Sequence, residues 1–197
     1  PLHQTFRPAG GSLVRTLVGH SDSVNDVVIH NEIAISASGS FFGSKDNSIV
    51  VWNWRTGEKL HHLKGHLGAV NCLAIQDSIL FSGSADKILI VWNWQTKERL
   101  FQLSGHSGFV TGVATQSDFV LSSSEDKTII VWNYQTGEKM HSLRGHTSSV
   151  NNIVMQNKIA ISASSDNTLI VWNWLAGEQL RKLEGHQSYV TDVAVQG

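Results

Sequence analysis

Four sets of Ser, His, Asp and Trp recur along this 197-residue chain, and each set contains the side chains of a nucleophilic triad. They are His20, Ser36, Asp46 and Trp52; His66, Ser82, Asp86 and Trp92; His106, Ser122, Asp126 and Trp132; and His146, Ser162, Asp166 and Trp172. Hydroxyl, imidazole and carboxylate in line would activate a serine for acyl transfer. That chemistry needs one such set, with unequal proton affinities and an oxyanion hole. Four equivalent copies, each ending on an indole N–H, suit another use. Donors and acceptors match from indole to hydroxyl, hydroxyl to imidazole and imidazole to carboxylate, so each set reads as a structural hydrogen-bond tetrad. No catalytic residue and no enzymatic activity is expected.

Other site chemistries find less support. Of the ten His, five follow a Gly at wide intervals, and His61 and His62 are neighbours on a predicted strand, pointing to opposite faces. None has zinc spacing, so neither metal nor cofactor is expected. The Gly39 to Gly43 stretch leads into a strand rather than a helix, which argues against a phosphate loop. Cys72, the lone cysteine, excludes an internal disulfide. Fifteen Lys and Arg against sixteen Asp and Glu, with no basic run, exclude a general nucleic-acid or anionic-membrane binder. No apolar run approaches the ~18 residues of a membrane span. The opening PLHQTFRPAGG has no charged-then-apolar signal pattern, so an intracellular, cytoplasmic setting is expected.

The tetrads must be positioned by a repeat. Gly-His recurs at 19, 65, 105, 145 and 185, and Trp52, Trp92, Trp132 and Trp172 follow one another at intervals of 40. The second unit shows its parts. AVNCLAI (69–75), ILFSGS (79–84), ILIVWNW (88–94) and RLFQLS (99–104) are predicted strands separated by polar turns. The third strand has no polar alternation, so both its faces must be covered. Small sheets buried on both faces and repeated at fixed period stack side by side around an axis.

Gly-His opening each unit, Ser-x-Ser-x-Asp before the third strand and Val-Trp-Asn at its end resemble WD-repeat β-propellers. That family typically ends the strand in Trp-Asp, whereas this chain has Asn53, Asn93, Asn133 and Asn173. The compact unit is most similar to those of F-box-type ubiquitin-ligase receptors and some bacterial WD-repeat proteins. The resemblance implies an all-β fold of four-stranded antiparallel blades and a protein-interaction scaffold. After an N-terminal segment 1–11, the propeller occupies 12–197, with blades near 19–64, 65–104, 105–144 and 145–184 and a partial one over 185–197. An outer strand over 12–18 and an inner strand over 189–196 bring the total to about four and a half blades, a segment of a larger, seven-bladed ring. Missing blades from the same chain or a second chain would close it.

Departures from the repeat should carry function. Ser and Asp are four residues apart in three units but ten apart between Ser36 and Asp46, which places an insertion around Phe41 and Phe42. The loops after Gly-His differ and include Phe109 and Tyr189. In the resembled family both features lie on one face, the top. Aromatic anchors favour protein interfaces. The pairs Asn25-Asp26, Asn71-Cys72, Thr111-Gly112, Asn151-Asn152 and Thr191-Asp192 interrupt apolar inner strands and fit a hydrated central channel. In phosphopeptide-reading relatives the first of each pair and the residue before the loop Asp supply arginines; here they supply one Lys and no Arg. The predicted partner is therefore a neutral or mildly polar peptide or protein. Its contacts are Phe41, Phe42, Lys45, Asn71, Phe109, Glu125, Asn151 and Tyr189. The rival reading is a sensor propeller regulating a kinase, nucleotide-switch ATPase or ubiquitin ligase in a larger signalling protein.

Overall fold

The computed structural model describes residues 13–40, 43 and 46–195. Among the described residues, sixteen strands form four separate antiparallel sheets, each with its strands in sequence order. Blade one holds β1 (Val24–His30), β2 (Ile33–Ser38), β3 (Ser48–Asn53) and β4 (Lys59–Lys64). Blade two holds β5 (Val70–Gln76), β6 (Ile79–Ser84), β7 (Ile88–Asn93) and β8 (Glu98–Ser104). Blade three holds β9 (Val110–Gln116), β10 (Phe119–Ser124), β11 (Thr128–Asn133) and β12 (Glu138–Arg144). Blade four holds β13 (Val150–Gln156), β14 (Ile159–Ser164), β15 (Leu169–Asn173) and β16 (Glu178–Leu183). The first strands lie innermost, β1 beside β5, β5 beside β9 and β9 beside β13, so the blades fan around one axis.

The tight β1–β2 type turns pass through Asn31, Asp77, Ser117 and Asn157, all with positive φ, a conformation that Asn and Asp tolerate. The turns after the third strands use Gly57, Gly137 and Gly177 at φ 75 to 81, but blade two has Lys97 there, at φ 66.

Side chains alternate between the two sides of each sheet, and both sides are apolar. Ile35, Val51 and Leu63 of blade one pack against Leu80, Ile90 and Trp92 of blade two. The same arrangement joins blades two and three through Phe81, Val91, Leu103 and Trp132, and blades three and four through Leu121, Val131, Leu143 and Trp172. The hydrophobic core is thus a series of slabs between blades, as third strands without polar alternation require. On the two outermost faces no second blade packs among the described residues. On blade one, Ala34, Val50 and Trp52 are buried against Leu17 and Trp54, beside an apolar cavity of about 170 Å³.

The stretches 12–18 and 189–196, expected as strands, are corrected in their described parts. Residues 13–18 and 189–195 belong to no sheet. A strand exists as a partner in a ladder, and among the described residues neither stretch pairs with a strand to form one. Val190 is nonetheless docked, its N–H donating to Ser164 O at 3.0 Å.

Candidate functional site

The four tetrads share one geometry. In blade two, His66 Nδ1 lies 2.9 Å from Asp86 Oδ2, and Nε2 lies 2.8 Å from Ser82 Oγ. The Trp92 indole N–H donates to the same Ser82 Oγ at 2.8 Å. Blades one, three and four repeat the chain through His20, Ser36, Asp46 and Trp52, His106, Ser122, Asp126 and Trp132, and His146, Ser162, Asp166 and Trp172. The carboxylate fixes the tautomer: Nδ1–H donates to Asp, so Nε2 accepts the serine proton.

Each tetrad ties the Gly-His loop to the second and third strands. The carboxylate also accepts the N–H of the residue after His, at Ser21, Leu67, Ser107 and Thr147. The preceding glycine lets the loop approach the indole: a Cβ at Gly65 would sit 2.8 Å from Trp92 Cη2. Ser82, Ser122 and Ser162 have no exposed surface, and every tetrad hydroxyl already accepts an indole N–H. A hydroxyl so enclosed has no path to a substrate carbonyl. The arrangement suits holding the loops in place rather than presenting a nucleophile.

Burial works against the Asp126 charge, but the Thr128 hydroxyl, the Ser107 N–H and His106 outweigh it and hold the carboxyl down at about 2. Asp46 is likewise held at about 2, by the Ser48 hydroxyl, the Ser21 N–H and His20 against burial. Asp166 is held low in the same way through Thr168. Asp86 is lowered too, although Ile88 replaces the hydroxyl in blade two. Burial pushes His106 and His146 below the usual imidazole range despite their carboxylate neighbours. Both rings are therefore neutral at pH 7.

The expected partner contacts are placed unevenly. Phe41, Phe42 and Lys45 lie outside the described residues. Tyr189 is 69 % exposed, Glu125 is exposed and Phe109 is half-buried. Asn71 and Asn151 are half-buried and engaged within the fold. Asn25 Nδ2 donates to Val70 O at 3.0 Å, Asn71 Nδ2 to Val110 O at 2.9 Å, and Asn151 Nδ2 to Val190 O at 2.8 Å; Thr111 Oγ1 donates to Val150 O. All four residues are skipped in the pairing of their inner strands, between Val24 and Asp26, Val70 and Cys72, Val110 and Gly112, and Val150 and Asn152. Each is a β-bulge residue that turns its side chain toward the following blade.

The first residue of these four pairs, expected to face a wet channel, forms a blade-to-blade tie. Asp26 extends it by accepting the Leu73 N–H at 2.6 Å. Recurrence of a polar pair in an apolar strand was the available signal, but a bulge is invisible without the partner strand. Among the described residues no group of three His, Cys, Asp or Glu side chains is placed to hold a metal ion. Cys72 is buried and its thiol is pushed far up by burial, which makes it unreactive.

The family description "WD domain, G-beta repeat" matches residues 11–53, 57–93, 97–133 and 137–173. The last three matches start before or in the outer strand of one blade and end with the third strand of the next. Sequence repeats and blades are out of step, so each repeat staples two blades together. The chain is 45 % identical over 53 residues to the WD repeat-containing protein pop2 of Schizosaccharomyces pombe, covering 27 % of this chain and 7 % of that protein. It is 40 % identical over 62 residues to pop1 of the same organism, covering 32 % and 7 %. Among solved structures, the computationally designed Ika8 protein superposes with a TM-score of 0.84 at 34 % identity, over 95 % of this chain and 57 % of that one. The structure of U3-55K superposes with a TM-score of 0.81 at 29 % identity, over 89 % and 56 %. The chain thus spans a small part of those curated relatives and little more than half of those solved chains.

Proposed function

The chain belongs to the WD-domain, G-beta-repeat family, and from that premise we propose that it is a non-catalytic scaffold whose top face holds a peptide or protein partner. One observation carries the reading. The chemistry-bearing side chains of the four tetrads are spent inside the blades, while the loops and turns beside them differ from blade to blade and expose Leu67, at 90 %, and Glu125, with Tyr189 exposed in the loop beyond the fourth blade. Anchored loops with non-equivalent tips offer a preorganised, varied surface, which favours one partner over many. Phe109 and Tyr189 are its aromatic anchors, Glu125 its polar contact, and Asn71 and Asn151 the inner edge; Phe41, Phe42 and Lys45 contribute from the insertion.

The partner is a protein rather than nucleic acid, because no basic field covers the chain. The setting is intracellular, in keeping with a free, unpaired Cys72. The two end faces, on which no second blade packs among the described residues, support completion of the ring by further blades, from the same chain or a second one. They also support a place for this propeller within a larger signalling protein.

A peptide-display selection against the protein tests the face. Selected peptides should lose about tenfold or more in affinity with Phe109→Ala or Tyr189→Ala, the scale of an interface anchor. Unchanged affinity in both variants would overturn the assignment of this face.

A further inference from the structure

Blade one departs from its neighbours at the outer end of its sheet. His62 stands where blades two, three and four have Gln102, Ser142 and Lys182, each opposite the same third-strand position. Ser48 stands where they have Ile88, Thr128 and Thr168. The Ser48 hydroxyl donates to Asp46, so the hydrogen between Ser48 Oγ and His62 Nε2, 2.7 Å apart, belongs to the imidazole. Nδ1 of His62 is left to take up the second proton, and it has no hydrogen-bond partner among the described residues.

These groups line a cleft of about 300 Å³ with Ser21, Asn47 and Lys64. Lys64 is exposed and in no ion pair among the described residues. Asp46 brings a negative charge, but it is turned inward: its oxygens accept His20 Nδ1–H, the Ser21 N–H and the Ser48 hydroxyl. What the cleft offers outward is an ammonium and an imidazole that can become a cation.

We propose that this cleft receives one carboxylate, the acidic side chain of the partner on the top face, between Lys64 Nζ and the protonated His62. The inference rests on the reading of that face as the partner's surface. A carboxylate fits better than a phosphate. One lysine and one histidine are too few donors for a dianion, and Asp46 penalises each added negative charge. The groups facing His62 are Lys59 and Lys64 on its own strand and Asp46 and His20 across from it. Burial and the two lysines hold its imidazole below the usual range. A bound carboxylate opposes them, so binding strengthens as the pH falls below about 6.5.

The test uses acetate on the intact protein, read by NMR at the His62 imidazole at pH 5.5 and 7.5, with inorganic phosphate in parallel. Saturable shifts at His62, stronger at pH 5.5, with its titration midpoint raised by about half a unit or more, are expected. Lys64→Gln should abolish them while the other imidazole signals stay in place. No saturable shift, equal shifts at exposed histidines elsewhere, or persistence in Lys64→Gln would overturn the site. Phosphate binding more than about tenfold tighter than acetate at pH 5.5 would overturn the carboxylate assignment. The probe needs no partner, so acetate binding together with unchanged peptide affinity in the Phe109 and Tyr189 variants would sink the top-face reading alone.

Discussion

Blades three and four have nearly the same sequence pattern and very different surroundings. Leu143 of β12 pairs with Ile129 and is 2 % exposed, whereas Leu183 of β16 pairs with Leu169 in the same register and is 38 % exposed. Val131 and Leu121 are buried, but their counterparts Val171 and Ile161 are half-buried. Blade four covers the first set, and no described blade covers the second. The four-stranded ladder and the tetrad are formed in both blades. A blade's ladder and tetrad are therefore its own, while its hydrophobic stabilisation belongs to the pair of blades that share a slab.

The strongest probe of that distinction is Trp132→Ala. It empties part of the slab between blades two and three and removes an indole donor from Ser122, and should cost about 3–5 kcal/mol in urea unfolding. A loss below about 1 kcal/mol would break the account of blade three's packing. Next, Leu143→Ala should cost about 2–5 kcal/mol, but Leu183→Ala less than about 1.5 kcal/mol, because much of that side chain stays in water. Equal losses would show that something covers blade four in solution.

The tetrads should respond alike in both blades. Asp126→Ala leaves the buried His106 without its acceptor and should cost about 1–3 kcal/mol, and Asp166→Ala a similar amount. A change near zero would remove the structural role. Acid should act in two windows. His106 and His146 have lowered folded-state values, so their contribution is complete above about pH 6.5 and is lost as the pH falls through those lowered values. Asp46 and Asp126 contribute above about pH 4 and lose that contribution toward about 2. Urea midpoints should be level from pH 8 to 7, fall below about 6.5 and fall again below about 4; a level profile down to pH 5 would contradict the first window. The smallest effect expected is a gain. Lys97→Gly places glycine at φ 66, as in the other three blades, and should stabilise by about 0.5–1 kcal/mol.

Much of a single blade was legible in the residues. The predicted strand 79–84 matches β6, 88–94 and 99–104 differ from β7 and β8 by one residue at one end, and 69–75 is shifted by one residue from β5. The tetrad partners were readable because their offsets repeat. Relations between blades were not readable in the same way. Asn71 and Asn151 look like free polar contacts in a strand, and only the neighbouring blade shows their amides donating to Val110 O and Val190 O. The stretches 13–18 and 189–195 have strand-like sequences, and among the described residues no strand pairs with them in a ladder. The departure at Ser48 and His62 was present in the residues too, but its meaning depends on register across β3 and β4.

Sequence by itself determined the blade: its period, its four strands, its turns and the order of donors and acceptors in each tetrad. These depend on residues at most a few tens of positions apart, where composition and spacing carry the information. Tertiary structure alone decided which faces are covered, where the bulge side chains reach, and that blade one gathers an ammonium and an imidazole over one cleft. Those outcomes depend on contacts between units of nearly identical sequence. A repeat cannot tell from its own residues whether it has a neighbour.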